Sequence, residues 1–477
     1  GNMTSLSETS IIAGSSGVTS GYTIDQSIRF NDDDSAYMQR THGAGGNVDL
    51  FTVSFWFKRC KLGADQYVFG SGANVYNTSD LMFKDDDTLI FWSYISAYQT
   101  RLITSQKFRD PHAWYHVVIV YDSGNAVSND RAKMYINGER VTDFSTETYP
   151  SQNQDGIVGS NVNIGFGRYI SYGGSHFDGY LAEMHYINGY DYGPENFGEF
   201  KENTDIWIPK EFEGNYGTGG FKVDGRDSSD LGDDESGQGN DLTTSGLAAH
   251  DQVLDSPTNN FCTLTPLARR MDSSTTLSNG NLKVVLSGND MFHSSFPITE
   301  KSYCEVRLDA SSNYGGVPGF GTFGGSDDDD NTIGFSTNYL SGRINLGNGG
   351  SGGNIGGTVS VGDIIMMALD PDTRKWWVGV DGTWRNSGDP GAGSGEVYQW
   401  AADYFDHGTY SDYDGIGALV WGGFKGSANG MTLTWNWGQD STFGGQETAG
   451  SNTDGSGNGS FKYAVPSGFN ALCSRSM

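Results

Sequence analysis

The sequence predicts an all-β protein made of two tandem β-sandwiches of the jelly-roll type, and two hairpin-like stretches carry most of that prediction. Residues 114–141 read as an apolar strand, a polar turn and an alternating strand that ends in Asn137-Gly138. Residues 362–384 repeat this order and end in Asp381-Gly382. Asn-Gly and Asp-Gly supply the positive φ that tight hairpin turns require, and alternating polarity is typical of a half-buried strand.

Length and composition support the same fold class. A chain of 477 residues is too long for one compact core and favours two or three domains. Glycine is abundant, at 70 residues, which fits many short strands joined by tight turns but also fits low-complexity disorder. Aromatic residues make up 13% of the chain, and a disordered chain would not carry that many, so the folded all-β interpretation is preferred.

Charge and hydropathy exclude several kinds of partner. The chain holds 58 acidic and 29 basic residues, a formal net charge of −29, which repels phosphate backbones and makes nucleic acid an unsuitable partner. The apolar runs are as short as strands, and the first residues are polar, so neither membrane insertion nor a secretion signal is expected. The four cysteines show no metal-binding spacing and are expected to be buried free thiols.

The composition and the density of strand-like segments change along the chain, and these changes suggest its domain organisation. Strand-like segments are dense up to about residue 200, give way to an acidic, glycine-rich stretch, and resume near Leu277. Trp207 and Phe221 within that stretch argue against a flexible linker, and Glu396–Phe405 could form one or two helical turns. The predicted parts are an N-terminal arm (1–20), a first sandwich (21–200), an ordered connector (201–267) and a second sandwich (268–477).

The residues of the first half also carry a family resemblance. The chain contains, in this order, SIRFNDDDSAYMQRT, FTVSFWFKR, DRAKMYINGERVTDF and FDGYLAEMHYINGYDYGPENFG. These phrases resemble the laminin-G-like, concanavalin-A-like jelly-roll domain, in the version found in tail and appendage proteins of bacteriophages. The resemblance continues through the connector and covers roughly Ser27–Leu267. The second half contains VGDIIMMALDPDTRKWWVGVDGTW, WNWGQDSTF and VPSGFNAL, which are similar to the SPRY-like fold.

The resemblance implies a non-enzymatic structural protein of a phage virion, a tail fibre or appendage that binds a host-surface glycan or protein. It also implies other virion proteins as partners, a homo-oligomer and a location in the virion. One alternative is a capsid decoration or tail-assembly protein that contacts only other virion proteins. A weaker alternative is a polysaccharide depolymerase, because many concanavalin-A-like folds are glycosidases with two carboxylates at the scissile bond. The glucanase patterns E-x-D-x-x-E and E-x-D-x-E are absent from the sequence.

Calcium is the cofactor that the acidic loops suggest. Asp32, Asp33 and Asp34 stand in one loop between two strands, and Glu183 lies on the closing strand of the first sandwich. Calcium prefers several carboxylate and carbonyl oxygens, and laminin-G-like domains often hold a cation near the sheet rim. The alternative is a solvated turn. Two other acidic stretches, Asp327–Asp330 and Asp234–Asp241, are weaker candidates for the same role.

Aromatic residues in loops are the candidate ligand-binding residues, since sugar rings have apolar faces that stack on Trp and Tyr. In the second half the prediction centres on the loop DYFDHGTYSDYDG and on Trp384, with the residues Tyr404, Asp406, Tyr410, Asp412, Tyr413 and Trp384. In the first half the candidates are Tyr94, Tyr98, Tyr169 and Tyr172. The alternative is that these aromatic side chains seal subunit interfaces.

Overall fold

The computed structural model describes the chain in segments that together form two compact units. The described residues are 21–268, 275–286, 291–311, 317–322, 332–336, 343–346, 351–357, 359–402, 404–405, 418–424 and 430–477. The first unit ends at Asn260 and the second begins at Phe261, somewhat before the predicted boundary at residue 267. Within the described residues there are strands and short 3-10 helices but no α-helix, and no helix could cross a membrane.

The first unit is built from short antiparallel strands that alternate with turns. Its strands are β1 (Ser27–Phe30), β2 (Tyr37–Thr41), β3 (Leu50–Arg59), β4 (Gln66–Asn74), β5 (Asn77–Phe83), β6 (Thr88–Ile95), β7 (Tyr98–Lys107), β8 (Tyr115–Asp122), β9 (Ala132–Ile136), β10 (Glu139–Arg140), β11 (Phe144–Thr148), β12 (Asn163–Phe166), β13 (Gly179–Asn188), β14 (Gly198–Phe200), β15 (Trp207–Pro209), β16 (Phe221–Val223), β17 (Thr243–Ser245) and β18 (Gln252–Val253). Its 3-10 helices are Asp32–Asp34, Ser128–Asp130, Pro194–Asn196 and Ala249–Asp251.

These strands form two large sheets. The first sheet has the order β10-β9-β8-β3-β13-β1-β18, with β16 also paired to β13, and the second sheet has the order β11-β7-β6-β5-β4-β12-β2-β17. Alternate residues of the strands meet in one apolar cluster, for example Phe55 and Phe57 from β3 and Leu81 and Phe83 from β5. This period of two is the pattern of strands that bury one face, and it produces the sandwich.

The stretch after residue 200 belongs to both sheets of this sandwich. Strands β16 and β18 join the first sheet through β13 and β1, while β17 pairs with β2 at the edge of the second sheet. Trp207 of β15 stacks near His116 at 6.1 Å, and its Nε1 donates a hydrogen bond to His116 Nδ1 over 3.0 Å. Burial lowers the pKa of His116 to about 3, so the imidazole is neutral and can accept this hydrogen bond.

The second unit is another pair of antiparallel sheets. Its strands are β19 (Thr276–Ser278), β20 (Lys283–Leu286), β21 (Met291–His293), β22 (Ser302–Ser311), β23 (Val317–Gly321), β24 (Thr332–Ser336), β25 (Arg343–Leu346), β26 (Ser351–Asn354), β27 (Ile364–Asp370), β28 (Lys375–Val380), β29 (Thr383–Trp384), β30 (Tyr398–Gln399), β31 (Val420–Phe424) and β32 (Met431–Asn436), with a 3-10 helix at Arg385–Ser387. One sheet has the order β19-β20-β32-β22-β27-β28-β29, with β30 on β28, and the other has β21-β31-β23-β24-β25-β26.

Both predicted hairpin turns are confirmed. Asn137 and Gly138 have φ of 48° and 82°, and Asp381 and Gly382 have φ of 48° and 80°. These are the positive values that a tight two-residue turn between antiparallel strands requires. The four cysteines are buried, as expected, and the structure places none of them in a disulfide.

The prediction of helical turns over Glu396–Phe405 is wrong for its described residues. Val397 N–H donates to the carbonyl of Trp376, and Tyr398–Gln399 pairs with β28 as β30. Trp400 is buried in the core of the second unit, where its ring lies 5.0 Å from that of Phe320. Hydrogen bonds to a neighbouring strand and burial of Trp400 therefore outweigh the local preference for a turn of helix.

Candidate functional site

The outer face of the second sheet carries a row of residues that are paired across four neighbouring strands. Gly70 on β4 lies opposite Asp80 on β5, Asp80 lies opposite Trp92 on β6, and Trp92 lies opposite Arg101 on β7. Side chains alternate along a strand, and Leu81, the neighbour of Asp80, belongs to the core. The row therefore points away from the core, on the face that the first sheet does not cover.

Trp92 of this row and four tyrosines near it form what we call the aromatic surface. Neighbouring ring centroids are 5.0 to 6.3 Å apart, a spacing typical of interacting aromatic pairs. Tyr98 is 45% exposed and Tyr172 is 76% exposed, whereas the other three rings are half-buried. The members of the aromatic surface are Trp92, Tyr94, Tyr98, Tyr169 and Tyr172.

A loop at residues 168–176 brings two of these tyrosines onto the sheet. Ile170 is buried, and Ser171 Oγ lies 2.5 Å from Thr78 Oγ1 on β5. The ring of Tyr169 stacks on that of Tyr67 with centroids 4.2 Å apart. These contacts hold the loop against β4 and β5, so the position of Tyr169 and Tyr172 depends on the sheet beneath them.

Polar groups accompany the rings. The guanidinium of Arg101 lies 4.6 Å from the ring centroid of Tyr98, within the range of a cation–π interaction. The Nε1 of Trp92 is buried and has no hydrogen-bond partner among the described residues. A buried donor without a partner costs free energy, so this indole N–H is a cost to the fold and not a donor that the surface presents to a ligand.

Asp80 is fully buried beneath this surface. One carboxyl oxygen accepts a hydrogen bond from Thr78 Oγ1 over 2.7 Å, and the other has no partner within the described part of the chain. Burial raises the pKa of Asp80 well above its usual range, which favours the neutral carboxylic acid. Gly70 leaves room for it, because a Cβ there would lie 2.4 Å from Asp80 Oδ1.

The predicted calcium ligands do not come together. Asp32, Asp33 and Asp34 form a 3-10 helix in which Asp32 pairs with Lys61 Nζ over 2.5 Å. Asp34 accepts a hydrogen bond from Asn31 Nδ2 over 2.7 Å. Across the residues that the structure describes, no three His, Cys, Asp or Glu side chains are grouped so that they could hold a metal.

Glu183 already has a set of protein partners on the outer face of the first sheet. Its carboxylate accepts a hydrogen bond from the Tyr22 hydroxyl and lies 3.2 Å from Lys222 Nζ and 3.4 Å from His185 Nε2. These partners outweigh the effect of burial and lower the pKa of Glu183 to about 2. Glu183 is thus already paired with a cation, Lys222, and calcium binding by Asp32, Asp33 and Asp34 stays a prediction.

The two weaker calcium candidates are the stretches Asp234–Asp241 and Asp327–Asp330. Asp234 uses its carboxylate to accept backbone N–H groups of Lys222, Ser236 and Asn240, at 2.8 to 2.9 Å, so it orders its own loop. Asp327–Asp330 lies outside the described residues.

The candidate ligand residues of the second unit are only partly described, and the described ones do not form one surface. Trp384 packs edge-on against Tyr303, with ring centroids 6.3 Å apart. Tyr404 is half-buried, packs against the core of its unit and contacts Phe405 at 4.9 Å. Asp406, Tyr410, Asp412 and Tyr413 lie outside the described residues.

Sequence reasoning named four of the five members of the aromatic surface but missed Trp92. Trp92 stands within the strand Thr88–Ile95, whereas the candidates were taken from aromatic residues in loops. A signal was present in the alternation of that run, because Leu89 and Phe91 are core residues and Trp92 and Tyr94 occupy the opposite phase. No local pattern indicates that the loop 168–176 would fold over the same face.

Residues 19–189 match the family model of the concanavalin A-like lectin/glucanases superfamily, in its laminin-G form. The matched region contains the whole aromatic surface and ends before β14. This match and the observed sheets confirm the all-β, sandwich fold class. A search of curated protein sequences gave no match.

Several solved structures are similar to parts of the chain. A heptameric SAP-like pentraxin from Limulus polyphemus is 17% identical, with 34% of this chain and 76% of that chain covered and a TM-score of 0.27. Domains LG4-5 of the mouse laminin alpha1 chain are 10% identical, with 87% and 90% covered and a TM-score of 0.29. The SPRY domain of human HERC1 is 14% identical, with 34% and 91% covered and a TM-score of 0.25.

At these identities and scores the structural likenesses support no functional argument. Neither the family model nor these structures point to a bacteriophage.

Proposed function

We propose that the first unit is a non-enzymatic, glycan-binding module whose ligand stacks on the aromatic surface. The observation that carries this proposal is the exposure of Tyr98 and Tyr172 at the two ends of a chain of ring contacts that runs through Trp92 and Tyr169. Sugar rings present apolar faces that stack on exposed aromatic rings such as these. The match of residues 19–189 to a lectin and glucanase superfamily supports the same class of ligand.

The carboxylates near the aromatic surface favour binding over hydrolysis. Glycosidases use two carboxyl groups that flank the scissile bond, roughly 5 to 10 Å apart. The pKa of Asp80 is raised by burial and lowered by Thr78, with no contribution from a second carboxylate among the described residues. A single buried carboxyl group cannot serve as both the acid and the nucleophile or base.

We further propose that the protein is a virion component whose glycan-binding module attaches the particle to its host. The phage-type phrases between Ser27 and Leu267 support this role, together with the exposed aromatic surface. Attachment requires a ligand outside the virion, whereas a capsid decoration or tail-assembly protein contacts only other virion proteins. Binding of a glycan by the full-length chain would therefore distinguish host attachment from a purely structural role in the particle.

The test is binding of the full-length chain to an array of bacterial and animal glycans, followed by calorimetry with the best ligand. The double variant Tyr98→Ala/Tyr172→Ala should bind at least about tenfold more weakly, because each lost ring removes one stacking contact. Tyr76→Ala is the matched control, since Tyr76 is 66% exposed and lies outside the aromatic surface.

Equal affinity of the double variant and the control would refute the assignment of this surface. A wild-type chain that binds no glycan would favour the structural role within the particle. Release of shortened oligosaccharides from the bound glycan would instead support the depolymerase alternative.

A further inference from the structure

A second concavity of the first unit lies at one end of β2 and β13. It has a volume of about 460 Å³, and glycines of three loops contribute to its walls: Gly45 and Gly46, Gly189, and Gly217 and Gly219. A pocket of this size is in the range that holds a small ligand. The side chains that line it include Arg40, His42, Asn47, Asn188, Tyr190 and Asn240. We call it the Arg40 pocket.

The Arg40 pocket differs in charge from the rest of the chain. The chain has a net charge of −29, yet no aspartate or glutamate is among the described residues that line this pocket. A larger pocket of the same unit, of about 660 Å³, shows the opposite character, since it is lined by Glu139, Asp143 and Asp205 beside Arg140. The acidic residues that act on Arg40, Asp234 and Asp241, are not part of this lining.

The guanidinium of Arg40 has a hydrogen-bond donor that no described protein group uses. Its Nη1 is buried and, in the described part of the chain, has no hydrogen-bond partner. Burial lowers the pKa of Arg40, while Asp234 and Asp241 raise it, and an arginine remains protonated at neutral pH in either case. One buried donor of this partly exposed guanidinium therefore has no protein acceptor, and a carboxylate is the kind of acceptor that a guanidinium prefers.

His42 adds no second charge. Burial lowers its pKa, and its Nε2 lies 3.2 Å from the hydroxyl of Tyr186 while its Nδ1 lies 3.2 Å from the carbonyl of Gly43. This arrangement fits a neutral ring that donates through Nδ1. The ring is enclosed by Gly46 and Gly219, because a Cβ at these glycines would lie 2.2 and 2.3 Å from its atoms.

Asn188 and Asn240 fix the walls of the pocket. The amide nitrogen of Asn188 donates to the carbonyl of Asn47 and to the Tyr186 hydroxyl, at 2.8 and 2.9 Å. The amide nitrogen of Asn240 donates to the carbonyls of Thr218 and Gly220, at 2.9 and 2.7 Å. With these donors occupied, Arg40 is the charged donor of the pocket, and the ring of Tyr190, 40% exposed, is its aromatic wall.

We infer that the Arg40 pocket binds the carboxylate of an acidic sugar, with Arg40 pairing to the carboxylate and Tyr190 contacting a face of the sugar ring. A guanidinium matches a carboxylate in shape and charge and can form two parallel hydrogen bonds to it. This site is separate from the aromatic surface, because Gln39 beside Arg40 points to the opposite face of β2 and accepts a hydrogen bond from Arg168 there. The inference therefore goes beyond the proposed function.

The test measures binding of D-glucuronate and of D-glucose to the full-length chain by ligand-observed NMR titration. Wild-type protein should bind glucuronate at least about tenfold more tightly than glucose, as expected for one charge-assisted hydrogen-bonded pair. Arg40→Gln should remove that preference, and Arg40→Lys should keep part of it. Lys107→Gln is the control for charge, since Lys107 is exposed at the end of β7 and should leave the preference within about twofold.

Circular dichroism melting of each variant separates a folding defect from a binding defect. If Arg40→Gln fails to fold, Arg40→Lys and the comparison of the two sugars on wild-type protein still decide the matter. Equal affinity of wild-type protein for glucuronate and glucose would overturn the inference. Loss of glucuronate binding in Tyr98→Ala/Tyr172→Ala with no loss in Arg40→Gln would place the acidic sugar on the aromatic surface instead.

Discussion

At the scale of single residues, the first unit depends on a buried ion pair. Lys58 Nζ on β3 lies 2.7 Å from a carboxylate oxygen of Asp255, and both side chains are completely buried. The other oxygen of Asp255 accepts a hydrogen bond from Trp114 Nε1 over 2.9 Å. A pair of this kind is costly to form, but it is far more costly to leave with one member alone.

We therefore predict that Lys58→Met lowers the free energy of unfolding of the first unit by about 3 to 5 kcal/mol, because Asp255 would keep a buried charge without its cation. Lys61→Met is the control: Lys61 is half-exposed in its pair with Asp32, and its loss should cost less than about 1 kcal/mol. Urea unfolding followed by tryptophan fluorescence measures both. Similar losses for the two variants would contradict the assignment of the buried pair.

The buried carboxyl of Asp80 predicts a dependence of stability on pH. Its pKa is raised in the folded chain, so its contribution to stability is fully present below the ordinary pKa of about 3.9 and is lost as the pH rises through the folded value. Asp80→Asn cannot ionise, and its melting temperature relative to wild type should therefore increase as the pH rises from about 4 towards the folded value.

Melting curves of wild type, Asp80→Asn and Asp80→Ala across this range test the prediction. The alanine variant removes the carboxyl group too, but it leaves a void, so it should show the same pH trend at lower melting temperatures. A difference between Asp80→Asn and wild type that does not change with pH would show that Asp80 is not buried as the neutral acid.

Residues of this kind mark the limit of sequence reasoning. Tyr98 and Tyr172 could be predicted as exposed aromatic candidates because each stands next to turn-forming residues. Asp80 and Arg40 could not, since their environments arise from strands and loops that are distant in sequence. The same holds for Glu183, whose carboxylate suggested a calcium ligand but whose partners Tyr22 and Lys222 come from two distant segments.

At the scale of elements, local turns were predictable and non-local pairing was not. The hairpins at Asn137-Gly138 and Asp381-Gly382 follow from two adjacent residues and their positive φ. Nothing in the local pattern shows that β16 pairs with β13, or that β17 pairs with β2. These pairings depend on edges and surfaces that other strands create.

The pairing of β16, β17 and β18 predicts that a fragment of residues 21–200 is unstable. This fragment lacks the three strands, so the edges of β1 and β2 and one flank of β13 would be exposed. Unpaired edges favour aggregation. A fragment of residues 21–260 should be soluble and melt cooperatively. Size-exclusion chromatography and calorimetry compare the two, and a shorter fragment that is as soluble and stable as the longer one would contradict this view of the connector.

At the scale of the whole molecule, the chain consists of two units, each with its own core. The second unit begins with residues that bind its own C-terminal segment: Cys262 N–H donates to the carbonyl of Leu472 over 3.0 Å, and Phe261 pairs with Cys473. A second unit that began after the predicted boundary at residue 267 would lack these contacts.

We predict that residues 261–477 form a soluble fragment that unfolds cooperatively, and that a fragment of residues 268–477 melts at a lower temperature. The reason is the loss of the buried side chains of Phe261, Cys262 and Leu264, each of which contributes apolar burial to the second unit. Differential scanning calorimetry of the two fragments is the measurement. Equal melting temperatures would show that residues 261–267 are dispensable for the second unit.

The contact between Cys262 and Leu472 also has a topological consequence. The first and last strand-like segments of the second unit are hydrogen-bonded neighbours, so the path of its backbone is nearly a closed ring. A short bridge could join these two ends, and new ends could be opened at an exposed turn such as Asp381-Gly382. The second unit is thus suited to circular permutation and to insertion into a surface loop of an unrelated carrier protein.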